Sequence, residues 1–378
     1  MPAKLLVNAS LGLSVFGSLV TAGAEEVETT EADTDANTDA CVPSSPESYN
    51  LGLHVASVFV LLVASGIGVF GPVLLGSDRG SDGRSLMYRY TFFALKHFGT
   101  GIIVSLAFCH LLQDAFETFS NECIGELAFE PTAPAIAMGS MLVIWLIDFS
   151  SARWYADAQR DQQAASRDQN KMSNDAIAST TTDPLSTRGS DTKPVLQDLC
   201  CETGCRPLKE WDPASRRALW DVQLLEGGIV FHSIMIGVAL GAQVDGFSAT
   251  FAALVFHQLF EGLGLGARIG ALRWSDQFGS AWKKWLMCLA YTVITPIGIA
   301  IGIGVHESFN ENGRAELLAI GVLNSISAGI LLYSGLCQLL YSEWVVGDMR
   351  DTSNRRVIVA IVSLALGLFA MSIIGKWT

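Results

Sequence analysis

Two histidines and a carboxylate stand where an apolar sequence should hold none. The run Val255-Phe256-His257-Gln258-Leu259-Phe260-Glu261-Gly262 sets His257 and Glu261 four positions apart, which stacks two side chains on one face of a helix. A second run, Leu225-Glu226-Gly227-Gly228-Ile229-Val230-Phe231-His232-Ser233, adds another imidazole. Two imidazoles and a carboxylate suit Zn²⁺ or Fe²⁺ and leave room for water or a fourth ligand. A His–Glu pair that merely joins helices is the plainer alternative. Three such groups, flanked by glycines that permit close helix approach, favour the ligand site. Ser233 and Gln258 adjoin the main ligands as auxiliary groups. His110 and Asp114 form another pair four apart, read either as an access path for metal or as an interhelical hydrogen bond. Glu226 is placed to receive a cation leaving the centre, and Asp148, His54 and His306 read as interfacial.

The elements that must position these groups follow from composition. Half of the 378 residues are hydrophobic and 16% are charged, against about 25% in soluble domains. Apolar stretches at roughly 52–75, 94–117, 133–153, 219–242, 249–271, 284–305, 317–340 and 356–375 are long enough to cross about 30 Å of hydrocarbon as helix. A spanning segment must satisfy its own backbone, and these are too long and uniformly apolar for barrel strands. The expected fold is therefore an all-α membrane protein, a bundle of eight transmembrane helices in a lipid bilayer. Within it each ionisable group costs at least ~2.5–3.5 kcal/mol, which makes each a functional hypothesis. A short connection around Asp245 predicts that the fourth and fifth helices pack as neighbours, with His232 and Glu261 at similar depth.

Charge placement orients the bundle. Connections rich in Arg and Lys (Arg79, Arg84, Arg89; Arg153, Arg160, Arg216, Arg217; Arg268, Arg273, Lys283; Arg350, Arg355) alternate with acidic or nearly uncharged ones. Basic connections stay cytoplasmic, so both termini are expected to be extracytoplasmic. Residues 1–24 read as a signal peptide ending at Ala22-Gly23-Ala24, which agrees with that orientation. Residues 25–50 form an acidic, disordered extracellular tail that supplies much of the net charge of −13. Helices one to three occupy 51–153, a flexible cytoplasmic loop 154–217, and helices four to eight 218–378. That loop carries Cys200, Cys201 and Cys205, candidate regulatory thiols whose spacing matches no structural zinc site. Cys41 and Cys123 both fall on the outer side, where a disulfide would tie the tail to the connection between helices two and three; the sequence leaves that pairing open.

At these residues the chain resembles the ZIP (ZRT/IRT-like) metal transporters, in particular the fungal and plant branch. The likeness rests on His232-Ser233 followed by Gly237, and on His257-Gln258-Leu259-Phe260-Glu261-Gly262. His110-Leu111-Leu112-Gln113-Asp114, Thr295-Pro296 and Asn324 to Ile330 are weaker echoes. The resemblance implies import of Zn²⁺, Fe²⁺ or a related ion toward the cytosol across the plasma membrane, often by a homodimer. Members with a two-metal site carry Asn, Glu, Asp and Glu where this chain has Ser233, Ile236, Gln258 and Thr295. A single central metal is the expectation here.

The sequence-level expectation is thus a zinc carrier using His232, His257 and Glu261, with the metal as transported substrate and no resident cofactor. An iron(II) or broad-range importer is the nearest alternative. An intramembrane metalloenzyme would need His-Glu-x-x-His or a comparable base beside paired histidines, and the chain has none. A metal-sensing receptor stays open. No nucleic-acid partner is expected of so acidic a chain.

Overall fold

A computed structural model describes Cys41 and residues 49–76, 86–180, 213–244, 246–272, 274, 282–306, 313–347 and 349–376. The signal-peptide and loop-thiol assignments, with most of the acidic tail, lie outside the described residues. Among the described residues the chain is helical throughout, with eight long helices. They are α1 (Leu51–Gly76), α2 (Leu86–Ser105, continued through a π-helical stretch Leu106–Leu112 into Gln113–Phe119), α3 (Thr132–Thr180) and α4 (Pro213–Ala242). Then follow α5 (Phe247–Ala271), α6 (Trp282–Val305), α7 (Arg314–Tyr333, continued as a π-helix over Ser334–Val346) and α8 (Asn354–Ile374).

Seven of these are long and apolar enough to cross a membrane by length and composition. The eighth, α5, falls short because His257, Gln258 and Glu261 interrupt its middle. The outside of the bundle is oily, with Phe59 and Val63 on α1, Met138 and Leu142 on α3, and Ile358 and Phe369 on α8 all exposed. Histidines, serines, threonines and carboxylates are buried instead. This inversion of the soluble pattern suits a lipid solvent.

Two expectations need correction. The first set a loop at 154–217, but α3 runs on as helix to Thr180. Residues 154–180 contain neither Gly nor Pro and are rich in Ala and Gln, so intrinsic propensity carries the helix past its apolar part. An exposed Arg160–Asp157 pair at 3.3 Å lies on that extension. The second expectation paired α4 with α5. In fact α4 lies along α6 and α5 along α1, and α4 meets α5 over a smaller area.

Small residues explain those choices. A Cβ added at Gly237 of α4 would stand 3.0 Å from Gly298 Cα of α6, and one at Gly262 of α5 would stand 3.0 Å from Gly68 Cα of α1. Backbones can approach this closely only where neither side carries a side chain, and such glycine contacts drive helix pairing in lipid. The remaining helices pair as α2 with α8 and α3 with α7. The bundle thus consists of one set, α1, α4, α5 and α6, joined to a second, α2, α3, α7 and α8.

Polar clasps close both ends. At one end buried Arg268 of α5 donates to Glu343 of α7 and Thr100 of α2, while Lys96 Nζ lies 2.9 Å from Glu343. Asp148 is buried in the bundle; its Oδ2 accepts from Tyr333 at 2.7 Å and lies 3.5 Å from Arg217. At the other end Tyr49 stacks between His54 and His306, at centroid distances of 4.1 and 4.0 Å. Its hydroxyl donates to Gly241 O at 2.7 Å, and burial raises its pKa, so it stays a donor. Cys41 is disulfide-bonded to Cys123, which fixes the tail against the connection between α2 and α3.

Candidate metal centre

The site lies where the two helix sets meet. His257 and Glu261 leave α5 on one face and are wholly buried, with His257 Nε2 4.0 Å from Glu261 Oε2. α4 brings His232 alongside, its ring centroid 5.7 Å from that of His257. From the other set α2 contributes His110, whose ring stands edge-on to both, 5.3 Å from His232 and 5.1 Å from His257. Among the described residues, His110, His232 and His257 form a metal-capable group, one nitrogen of each lying within 4.8 Å of the others.

His110 reaches this position through the π-helical stretch of α2, which holds Leu106–Leu112. A π-turn takes an extra residue and rotates everything beyond it relative to an α-helix. Its Nδ1 lies 3.2 Å from Asp114 Oδ2. That contact orients the ring as a carboxylate partner orients a metal-ligating imidazole, with Nε2 left to bind. Asp114 itself is part-exposed.

The hydrogen bonding of these groups is incomplete. Neither nitrogen of His232 or of His257 has a hydrogen-bond partner, and Glu261 Oε1 has none either. Burying such atoms unpaired costs about 1–3 kcal/mol each, a cost that a bound cation offsets. The other oxygen of Glu261 faces two hydroxyls, 3.4 Å from both Ser233 Oγ and Tyr291 Oη.

Gln258 points elsewhere. Its Nε2 donates to Thr295 Oγ1 and its Oε1 accepts from Tyr291 at 2.7 Å. The side chain braces α5 against α6. Glu226 is buried on α4, six positions before His232. Sequence reasoning missed Tyr291 altogether, since a tyrosine in an apolar helix carries no signal of its own. It also left His110 at the margin of the site.

These features describe a helical membrane protein built around a buried cluster of imidazoles suited to a divalent transition metal. Comparison with known proteins gives the family. The profile described as "ZIP Zinc transporter" matches residues 51–375, and the chain belongs to the ZIP family. It is 32% identical over 339 residues to "Zinc-regulated transporter 1" of Saccharomyces cerevisiae, covering 87% of this chain and 88% of that protein. It is 35% identical over 330 residues to "Zinc-regulated transporter 1" of Candida albicans, covering 87% of this chain but 62% of that longer protein. Likeness to "Fe(2+) transport protein 1" of Arabidopsis thaliana is 31% over 356 residues, 92% of each chain. Family and relatives alike support divalent metal transport.

Proposed function

We propose that this chain imports Zn²⁺ from outside the cell to the cytosol across the plasma membrane, through one mid-membrane site. Its ligands are His232, His257 and Glu261, the trio expected from sequence, together with His110. The observation that carries the reading is the set of buried donor atoms without protein partners: both nitrogens of His232 and His257, and Glu261 Oε1. Three nitrogens and one carboxylate oxygen are a zinc-like ligand set. Eight spans with both termini outside are the topology that accompanies it.

In this reading a hydrated cation approaches past Asp114 and exchanges water for the imidazoles and Glu261. It leaves past Glu226 toward the cytosol. The imidazoles must be neutral to bind, and the single carboxylate offsets part of the ion's charge. Release demands that ligation stay weak enough to reverse, and ligands drawn from both helix sets meet that demand. When the sets shift against one another, His110 parts from His232 and His257 and the coordination opens.

A Fe²⁺ importer is the second reading, supported by the likeness to the Arabidopsis iron protein. Labelled zinc uptake into liposomes, challenged with Fe²⁺, separates the two. For the site itself, His110→Ala is expected to raise the KM for zinc about tenfold or more. An unchanged KM would return His110 to the access path and leave His232, His257 and Glu261 as the ligands.

A further inference from the structure

We propose that Tyr291 is a positioning residue for Glu261 and, through it, sets which divalent ion the site prefers. The proposal rests on the zinc-import reading and deepens it. Tyr291 is fully buried on α6. Its ring is wedged against α5 so closely that a Cβ at Gly262 would stand 3.0 Å from its Cε1. The hydroxyl lies 2.6 Å from Gln258 O, 2.7 Å from Gln258 Oε1 and 3.4 Å from Glu261 Oε2. Thr295 holds the far side of the Gln258 amide. The hydroxyl therefore cannot swing away, because α5 backbone, a braced amide and a carboxylate surround it.

The consequence falls on Glu261. Tyr291 from α6 and Ser233 from α4 both approach Oε2, whereas Oε1 has no hydrogen-bond partner. One oxygen faces two hydroxyls at 3.4 Å and the other is offered. A carboxylate so constrained binds through a single oxygen, and with three imidazoles it completes the four-coordinate centre that Zn²⁺ favours. Released from its donors, the same carboxylate can chelate through both oxygens. That raises the coordination number and the oxygen content of the site, which favours Mn²⁺. A neutral hydrogen-bond network thus acts on metal choice without touching the metal.

The test uses the full-length protein in liposomes, with labelled Zn²⁺ uptake measured alone and against increasing Mn²⁺. Tyr291→Phe keeps the ring and removes the hydroxyl. It should raise the KM for Zn²⁺ about tenfold and lower the Mn²⁺ concentration that halves zinc uptake relative to that KM. Ser233→Ala should shift the Mn²⁺-to-Zn²⁺ ratio the same way, and Ser233→Thr, which keeps a hydroxyl, should restore it. A ratio unchanged in Tyr291→Phe overturns the proposal, as does an equal loss for both ions. Should Tyr291→Phe fail to fold, the Ser233 pair decides, and an unchanged ratio in Ser233→Ala is the overturning result. His257→Ala runs alongside. If it abolishes uptake while Tyr291→Phe leaves the ratio intact, only this inference fails. If His257→Ala transports normally, the metal-centre reading fails with it.

Discussion

Gly237→Ala adds one methyl group at a tight seam beside the metal centre, and its effect can be worked out in advance. The new Cβ would stand 2.5 Å from Thr295 O, 3.0 Å from Gly298 Cα and 3.1 Å from Ile299 N. An ordinary contact begins near 3.4 Å, so α4 and α6 must part locally by about 0.9 Å, since close-packed backbone does not compress. Overpacking of this kind costs about 1–3 kcal/mol. The displacement also reaches the site, because α4 carries His232 five positions before Gly237 and α6 carries Thr295, which braces Gln258. The expected outcome is a lower melting temperature in detergent and a zinc KM raised about tenfold, as for other disturbances around metal ligands. Gly139→Ala on α3 is the control, since nothing lies within 4 Å of its added Cβ. Melting curves and initial rates of labelled zinc uptake, read on both variants and the wild type, decide the matter. Wild-type behaviour from Gly237→Ala, or equal damage from Gly139→Ala, would refute the reasoning.

Other outcomes follow from the same structure. Protons compete with zinc for His110, His232 and His257, so the apparent KM should rise as the outside pH is lowered far enough to charge the imidazoles. Initial rates over a descending pH series check the direction. Cys123→Ser opens the bond to Cys41, which spans 82 positions, and should cost about 2–4 kcal/mol of stability. Its melting temperature should match that of the wild type under reductant.

The parts of this protein that were legible in the sequence are those with a strong, one-dimensional signal. Uninterrupted apolar length marked the helices. His257 and Glu261 stood out because an ionisable pair inside such length is costly, and their i,i+4 spacing survives in a regular helix. His110 carried the same spacing to Asp114, yet its place among the rings was hidden. It depends on a π-helical stretch in α2, and no residue in Leu106–Leu112 announces that change of register. Helix partners were also misread. A short connection suggested α4 beside α5, but facing glycines on α4 and α6 and on α1 and α5 made closer seams. Glycine pairs can be matched only once helices are placed in three dimensions. The extension of α3 to Thr180 was missed for a different reason, as a helix polar on every side has no apolar stripe to reveal it. Tyr291 and Thr295 gained significance only from the atoms they touch.

The most direct test of the account is zinc uptake by purified protein in liposomes, comparing wild type with the double variant His257→Ala, Glu261→Ala. Both side chains are wholly buried, and both converge on the cluster shared with His110 and His232. The account predicts that the double variant, inserted and folded as judged by its melting curve, takes up no more labelled zinc than empty liposomes. Saturable uptake with a wild-type KM from that variant would contradict it.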